Sequence, residues 1–291
     1  MSKKWGESFL KSGLPLEHLT AMALRSLGWD IETNLEYSRQ NKDGNETWFE
    51  LDLFATSPGE NKDTELGFLI ECKYHDASRF WVLLPSEEGG WLFDDAVLNC
   101  GPVQTLCDPR KESFLGLAPT STWGVVVSED GTKQENAIHT AIQQLTNAFV
   151  PYLSGRLWQC ALFLNPRATA VVPMIVTNAS LYRLRPEIRD LEVIRNASSP
   201  AEVADEVSWT WCRHAIPMAL LYANQETIRL SLVQYADSIA RVPAAEKRLM
   251  VFGSRPHWIA VVNIKALADA AMSIVSQFME LQIADVRTVA K

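Results

Sequence analysis

The pattern of apolar and polar positions over the first 75 residues predicts a helix followed by three strands. Residues 14–28, LPLEHLTAMALRSLG, carry apolar side chains at helical spacing between Pro15 and Gly28. The helical stripe consists of Leu16, Leu19, Ala23, Leu24 and Leu27. Residues 29–37 and 47–55 alternate as strands do, and residues 66–74, LGFLIECKY, form a mostly apolar third strand. Polar turns at 39–46 and 57–65 separate the three.

The middle of the chain continues as alternating strands and helices. We interpret residues 76–120, which glycines and prolines interrupt, as an inserted excursion outside the core layers. A buried strand is predicted at 121–128, a helix at 134–149, and further strands at 158–164 and 171–177. The predicted fold class is therefore α/β, with a mixed central sheet flanked by helices.

The stretch SSPAEVADE at 198–206 is the best candidate for a boundary. It divides a first domain, 1–200, from an α-rich C-terminal extension, 201–291. Helices are predicted there at 201–222, 226–241 and 265–283, with an apolar run at 258–264. Whether this segment is a separate domain or extends the first sheet stays open from the sequence.

Composition and charge narrow the class of protein. The 291 residues are 47% apolar and 21% charged, which is typical of a globular protein. The first residues lack the apolar core of a signal peptide and no apolar run is long enough to span a membrane, so we expect a cytoplasmic protein without a membrane partner. Five cysteines without CxxC spacing argue for reduced thiols rather than a structural zinc site.

The formal net charge of −8 argues against binding nucleic acid through bulk electrostatics. A polyanion would have to be held by a local patch or by metal ions. Residues 156–195 offer such a patch, in which six arginines outnumber three acids. Arg183 and Arg185 are its candidates for substrate binding, because guanidinium groups bind phosphates in bidentate geometry. An ordinary solvated face explains the same charges equally well.

Charged side chains interrupt two of the apolar strands. Asp52 lies on the face of its strand opposite the apolar residues, and Glu71 and Lys73 are two residues apart on one face of the next. Pairing of these strands would bring the three side chains together. Because neighbouring carboxylates repel unless a cation lies between them, the pattern predicts a site for Mg²⁺ or Mn²⁺.

These residues resemble the motif of the PD-(D/E)XK nuclease superfamily, which includes Mrr-type restriction endonucleases and Holliday-junction resolvases. Asp52 matches the motif aspartate, Glu71 and Lys73 in ECK match the E-x-K element, and Glu17 matches the first-helix glutamate that many members carry. Leu51 stands where the family name has proline. The resemblance covers the first 75 residues, extends loosely to about residue 180, and implies a restriction-endonuclease-like αβββαβ core.

The resemblance also implies a mechanism. Asp52, Glu71 and the backbone carbonyl of Cys72 would ligate one Mg²⁺ or Mn²⁺, and Glu17 would hold it through water or support a second ion. Lys73 would orient or deprotonate the attacking water. The expected activity is metal-dependent hydrolysis of phosphodiester bonds, with DNA as the favoured partner.

Further residues near the motif are weaker candidates. Tyr74 and His75 follow ECK directly and are candidates for substrate contact. Gln134 and Gln143 or Gln144, on the later helix, are similar to a helix glutamine in some branches of the superfamily, although they match no motif.

A second class of function stays open beside the nuclease. The charged set is also compatible with an ion-paired structural cluster in a catalytically inactive binding or regulatory module, whose C-terminal segment contacts a protein partner. A homodimer is a further expectation for a nuclease that cuts both strands. The intact set of aspartate, glutamate and lysine favours the nuclease.

Overall fold

The computed structural model of the chain describes residues 4–40, 45–57, 64–86, 97–99, 118–128, 130, 133–134, 137–162, 168–214, 217–234 and 258–276. Its helices are α1 (Lys4–Lys11), α2 (Leu14–Ser26), α3 (Ala137–Leu162), α4 (Leu191–Asn196), α5 (Met218–Gln234) and α6 (267–276). Its strands are β1 (Asp30–Gln40), β2 (Glu46–Thr56), β3 (Thr64–Lys73), β4 (Arg79–Pro85), β5 (Val97–Asn99), β6 (Thr120–Ser128), β7 (Lys133–Gln134), β8 (Ala168–Thr177), β9 (Ser180–Leu184), β10 (Ala204–Val207), β11 (Trp209–Arg213) and β12 (Trp258–Asn263).

All of these strands belong to one mixed sheet of 12 strands, which confirms the α/β class with a mixed central sheet. Ten strands follow in the order β1-β2-β3-β8-β12-β11-β6-β4-β9-β10, with β5 paired to β8 and β7 to β6. The β1–β2 and β2–β3 pairs are antiparallel, whereas β3 and β12 both run parallel to β8.

Helices cover the central strands on both faces. On one face, Val171 and Ile175 of β8 belong to a buried cluster with residues of α3 and α5. On the other face, Val172 and Val176 belong to a cluster with residues of α2 and α6. A strand buried on both sides is expected to be apolar almost throughout, and this explains why β8 reads as VVPMIV rather than as an alternation.

The order of helix and three strands at the N-terminus is confirmed. The helical stripe turns out to be centred on Leu16, Thr20 and Leu24, which are buried, whereas Leu19 is 56% exposed. In β3, Gly67 is required by packing, because a Cβ there would lie 2.3 Å from the ring of Phe54 on the neighbouring strand. This close contact joins β2 to β3 at one end of their pairing.

Two predicted elements have the wrong type. Residues 158–162 continue α3 instead of beginning a strand, since a short apolar run does not by itself distinguish a strand from a buried helical segment. Residues 201–222, predicted as a helix, contain β10, β11 and only the start of α5. The buried Trp209, Trp211 and Cys212 of β11 pack within the sheet, and aromatic residues favour such positions.

The C-terminal segment is not an α-rich extension in the part of the chain described. β12 lies between β8 and β11 in the sheet, and the side chains of Ile259 and Val262 are fully buried on opposite faces. The apolar run at 258–264 was therefore placed correctly, but its role is central rather than accessory. The helix predicted at 265–283 is present as α6, and residues 277–283 lie outside the described residues.

The predicted excursion at 76–120 also contributes to the sheet. β4 pairs with β6 and β9, and Trp81 and Leu83 are fully buried. Of the prolines and glycines that suggested an excursion, Pro85 is the last residue of β4 and the others come later in the sequence. Most of residues 87–117 lie outside the described residues, so the rest of that expectation stays a prediction.

Candidate active site

The candidate site lies where β2 and β3 separate. Their pairing runs from Thr56 opposite Gly67 to Leu53 opposite Ile70, and no further pair follows. Beyond Ile70, a side chain takes the place of a backbone acceptor on β2. The backbone N–H of Cys72 donates a hydrogen bond of 2.6 Å to Oδ2 of Asp52. A strand N–H that has lost its backbone acceptor is thereby satisfied.

Strand β1 is also irregular at this point. Its register with β2 pairs Thr33 with Leu53 and Leu35 with Leu51, and Asn34 between them has a φ of 53°. Asparagine is one of the few residues that adopt this left-handed conformation readily. The irregularity lies level with Asp52, on the strand that borders it.

Glu71 and Lys73 project from one face of β3, toward α3. Glu71 is only 1% exposed, and its Oε1 accepts a hydrogen bond of 2.5 Å from Nζ of Lys73. The same Nζ donates 2.8 Å to Oε1 of Gln144 on α3. The lysine ammonium is thus held between a carboxylate of its own strand and an amide of the covering helix.

Glu17 approaches from α2, on the other face of the sheet. It is half-buried, and the charges of Asp52 and Glu50 act on it. Nearby, Thr20 of the same helix lies 3.6 Å from the Sγ of Cys72, oxygen to sulfur. Burial raises the pKa of this thiol well above its ordinary value, so Cys72 enters the site through its backbone and not as a nucleophile.

The surroundings of the site raise the pKa of its three carboxylates. Burial, followed by the charge of Asp52, raises the pKa of Glu71 to about 7. Burial also raises the pKa of Asp52, although the Cys72 hydrogen bond and Lys73 act in the opposite direction. The pKa of Glu17 is raised by burial and then by Asp52. Three acids with one lysine among them form a cluster short of positive charge.

The donor set fits a hard divalent cation. Within the described residues, Oε2 of Glu71 is buried and has no hydrogen-bond partner. A buried carboxylate oxygen without a partner, beside a second carboxylate that repels it, is the arrangement that a cation would relieve. In this conformation no three His, Cys, Asp or Glu side chains of the described residues are grouped as metal ligands. The expected set needs only Asp52, Glu71 and a backbone carbonyl, and the part of Glu17 in holding the ion stays a prediction.

His75 and Tyr74 take up different environments after β3. His75 is 4% exposed and packs edge-on against Trp81, and its backbone exchanges two hydrogen bonds with the side chain of Asn178. Burial lowers the pKa of His75 to about 4, so it is neutral near pH 7. Tyr74 is half-buried, and its pKa is raised by burial and then by Asp76. Their role in substrate contact stays a prediction.

Arg183 on β9 and Arg185, directly after that strand, have structural partners. Nε of Arg183 donates to the backbone oxygen of Thr120. Arg185 forms an ion pair of 2.8 Å with Asp205 and donates to the backbone oxygens of two residues that precede β10. Neither arginine has a recorded contact with the carboxylate cluster within the described residues, and their role in phosphate binding stays a prediction.

Two neighbours of the site were missed or only partly anticipated. Gln144 was one of three glutamines considered, and its contact with Lys73 selects it. Tyr37 on β1 is not among the candidate residues above; its ring stacks on Phe49, and burial raises its pKa to about 12, with Glu71 contributing. The signal for Tyr37 was its alternation with Leu35 on a strand predicted to lie beside β2.

Comparisons with known proteins assign no function to the site, so its interpretation rests on its geometry. No protein-family model, no curated protein sequence and no solved structure matches this chain. Among the described residues, no helix combines the length and hydropathy that a membrane span requires.

Proposed function

We propose that this protein is a metal-dependent nuclease of the PD-(D/E)XK type, hydrolysing phosphodiester bonds, with DNA as the favoured substrate. The observation that carries the proposal is the convergence of Asp52, Glu71 and Lys73 at the point where β2 and β3 separate. Asp52 is next to β3 because the two strands pair, and its hydrogen bond to the backbone N–H of Cys72 also fixes its carboxylate to β3.

Asp52, Glu71 and the carbonyl of Cys72 would hold Mg²⁺ or Mn²⁺, with Glu17 as a supporting carboxylate. The ion would supply a Lewis acid for the scissile phosphate and a hydroxide nucleophile near neutral pH. Its remaining ligands would be water and substrate oxygens, because Mg²⁺ usually keeps several waters. The positive charge missing from a chain of net charge −8 would thereby be supplied at the point of reaction.

Lys73 would orient or deprotonate the attacking water and help to neutralise the charge that builds on the scissile phosphate. Its ammonium is held by Glu71 and Gln144, so it is fixed before substrate arrives. A fixed cation stabilises the charge that develops on a phosphate without reorganisation. Because Gln144 is neutral, it orients the ammonium without competing for its charge.

The test is a cleavage assay on the purified full chain. Supercoiled plasmid, single-stranded DNA and RNA are incubated with Mg²⁺, Mn²⁺ or EDTA, and products are resolved on gels. Cleavage of at least one substrate with metal and none with EDTA is expected. The control variant is Lys73→Ala, purified identically, which removes contaminating nucleases as an explanation. Metal-dependent cleavage of equal rate by both proteins would contradict the proposed site.

The catalytically inactive binding module remains the alternative, and one observation favours it. Lys73 forms its closest contact with Glu71 itself, which is the arrangement of a structural ion pair. If no substrate is cleaved with either metal while the protein is folded, this alternative gains support. The position of Asp52 beside the Glu71–Lys73 ion pair argues against the inactive module, since a second carboxylate destabilises a purely structural ion pair.

A further inference from the structure

A cavity outside the metal site lies between the β1–β2 hairpin, α3 and α5. Its volume is about 340 Å³, at the lower end of the range typical of small-molecule sites. The cavity lining combines aromatic or imidazole rings, amides and small apolar side chains. The lining residues are Arg39, Phe49, His139, Gln143, Asn147, His214, Pro217, Ala219, Leu220 and Ala223. None of these described residues is acidic, and Arg39 brings a positive charge.

Arg39 is held rigidly but is not neutralised by its partners. Its Nε and Nη2 donate to the backbone oxygen of Asn147, at 2.9 and 2.5 Å, and Nη2 also donates to Oδ1 of Asn224 at 2.7 Å. These acceptors are a neutral carbonyl and a neutral amide. The third nitrogen, Nη1, is buried and has no hydrogen-bond partner within the described residues.

Such a guanidinium is costly unless an anion completes its surroundings. Burial lowers the pKa of Arg39 to about 10, which still leaves it charged near pH 7. Arg39 is half-buried, and a partly buried charge without a counter-charge destabilises a folded protein. Because Arg39 lines the cavity, an anion bound there would lie beside this residue and supply the missing counter-charge.

The remaining walls fit a flat ring. Phe49 is 37% exposed and stacks on Tyr37, so a face or edge of its ring is accessible from the cavity. The side chain of Gln143 is exposed at the cavity and offers an amide to a polar ring edge. Aromatic side chains and amides are the groups that stack on nucleobases and hydrogen-bond to their edges.

The cavity and the proposed active site share two elements, β1 and α3. Gln143 at its wall precedes Gln144, which binds Lys73. On the sheet side, Tyr37 lies two residues before Arg39 on the same strand, and the charges of both Arg39 and Glu71 act on it. A ligand in the cavity would therefore bind to elements that also carry the proposed active site.

We propose that this cavity binds a nucleoside monophosphate unit, with its phosphate on Arg39 and its base against Phe49. The choice of a nucleotide over another aromatic anion rests on the proposed nuclease function. The unit has two sources with the same chemistry, a nucleotide of the substrate strand or a free nucleotide. Either would give Arg39 the anion that the protein itself does not supply.

Binding is measured by isothermal titration calorimetry on the full chain in EDTA, so that no cleavage takes place. The probes are the four deoxynucleoside 5′-monophosphates, a deoxynucleoside and inorganic phosphate. At least one monophosphate is expected to bind more than about tenfold tighter than the nucleoside or phosphate alone. Arg39→Gln, which removes the charge, is expected to weaken that binding at least about tenfold.

Arg39 also joins β1 to α3 and α5, so Arg39→Gln could lose binding simply by misfolding. A second variant at a different residue tests the cavity independently. Gln143→Glu changes an exposed side chain by one atom and places a negative charge in the cavity, so it is expected to weaken binding by a similar factor. The matched controls are Arg195→Gln and Asn196→Asp on α4, both exposed, which make the same two changes away from the cavity. Their binding should equal that of the unmodified protein.

The outcomes separate the cavity from the nuclease. The nucleotide site is overturned if the folded protein binds no monophosphate, or if Gln143→Glu and Arg39→Gln both bind it as tightly as the unmodified protein does. If plasmid cleavage persists in that case, the nuclease stands without it. Binding with these losses but no cleavage keeps the nucleotide site and removes the nuclease. Displacement of the monophosphate by a five-nucleotide DNA identifies the strand as the source; failure to displace it identifies the free nucleotide.

Discussion

At the scale of single residues, burial and mutual repulsion destabilise the charged carboxylates of the site, and the ammonium of Lys73 stabilises them. Glu71 lies almost without exposure beside Asp52, and Lys73 compensates only part of the negative charge. The sequence predicted these three residues because charges in apolar strands need partners. It did not distinguish Gln144 from Gln134 and Gln143, since the register of a helix against a sheet is set by packing that a single sequence does not display.

The pKa of Glu71 gives a prediction about stability without metal. It is raised from 4.5 to about 7, so the folded state binds a proton that the unfolded state releases between these values. The resulting stabilisation is complete below pH 4.5 and is lost as pH rises through about 7. Relative to Glu71→Gln, the protein in EDTA is expected to lose on the order of 1–3 kcal/mol of unfolding free energy across this window.

Urea denaturation in EDTA at pH values from 4.5 to 8 measures this difference. Comparison with Glu71→Gln matters because the pKa of the buried His75 is lowered to about 4, which destabilises the folded state as pH falls below the ordinary histidine value of 6.5. That contribution is common to both proteins and cancels. Stability curves that stay parallel through the window would show that Glu71 is not held with a raised pKa.

At the scale of secondary structure, the separation of β2 from β3 creates the site. Pairing of residues 47–55 with 66–74 is expected from their charged side chains, and the structure shows it as an antiparallel pairing of residues 53–56 with 67–70. The point where pairing stops was not predicted, because it depends on Asp52 accepting from the Cys72 N–H and on the irregular Asn34 in β1. Both are features of backbone geometry that leave little trace in hydropathy.

Substitutions of Asp52 separate its hydrogen bond from its charge. Asp52→Asn keeps an oxygen that accepts from Cys72 and removes the repulsion of Glu71, so the metal-free protein at pH 8 should become more stable, by about 1 kcal/mol. Asp52→Ala removes the acceptor as well and should destabilise by about 1–3 kcal/mol. Thermal unfolding in EDTA measures both.

The same scans with Mn²⁺ provide the second half of that test. Mn²⁺ should raise the unfolding temperature of the unmodified protein and leave both Asp52 variants unchanged, because a ligand that binds only the folded state stabilises it by mass action. Equal stabilisation of Asp52→Asn by Mn²⁺ would remove Asp52 from the metal site. Equal stability of the two variants in EDTA would show that the Cys72 hydrogen bond is dispensable.

At the scale of the whole molecule, distant parts of the chain complete one sheet. The N-terminal order of elements was predictable because each shows a clear period in its sequence. The positions of β11 and β12 were not, since their pairing with β6 and β8 joins residues far apart in the chain. Apolar runs such as 258–264 reveal that a segment is buried but not which strand it lies beside.

This topology predicts that residues 1–200 do not fold alone. Removing 201–291 would leave β8 without β12 and β6 without β11, and would expose apolar surface on both faces of the sheet. The fragment is expected to lack a cooperative thermal transition by circular dichroism. Ile259→Val in the full chain, which keeps β12, should retain one and cost only about 1 kcal/mol. A fragment that unfolds as cooperatively as the full chain would contradict this prediction.

The most direct test of the central claim is the cleavage rate of three single variants under conditions in which the unmodified protein cuts. Asp52→Asn, Glu71→Gln and Lys73→Ala are compared with Arg229→Gln, whose exposed guanidinium is paired with Glu226 on α5. Each of the first three should reduce the Mg²⁺- or Mn²⁺-dependent rate by at least about a hundredfold while remaining folded, and Arg229→Gln should change it little. Retention of the full rate by any of the three would contradict the account of a single site built from β2 and β3.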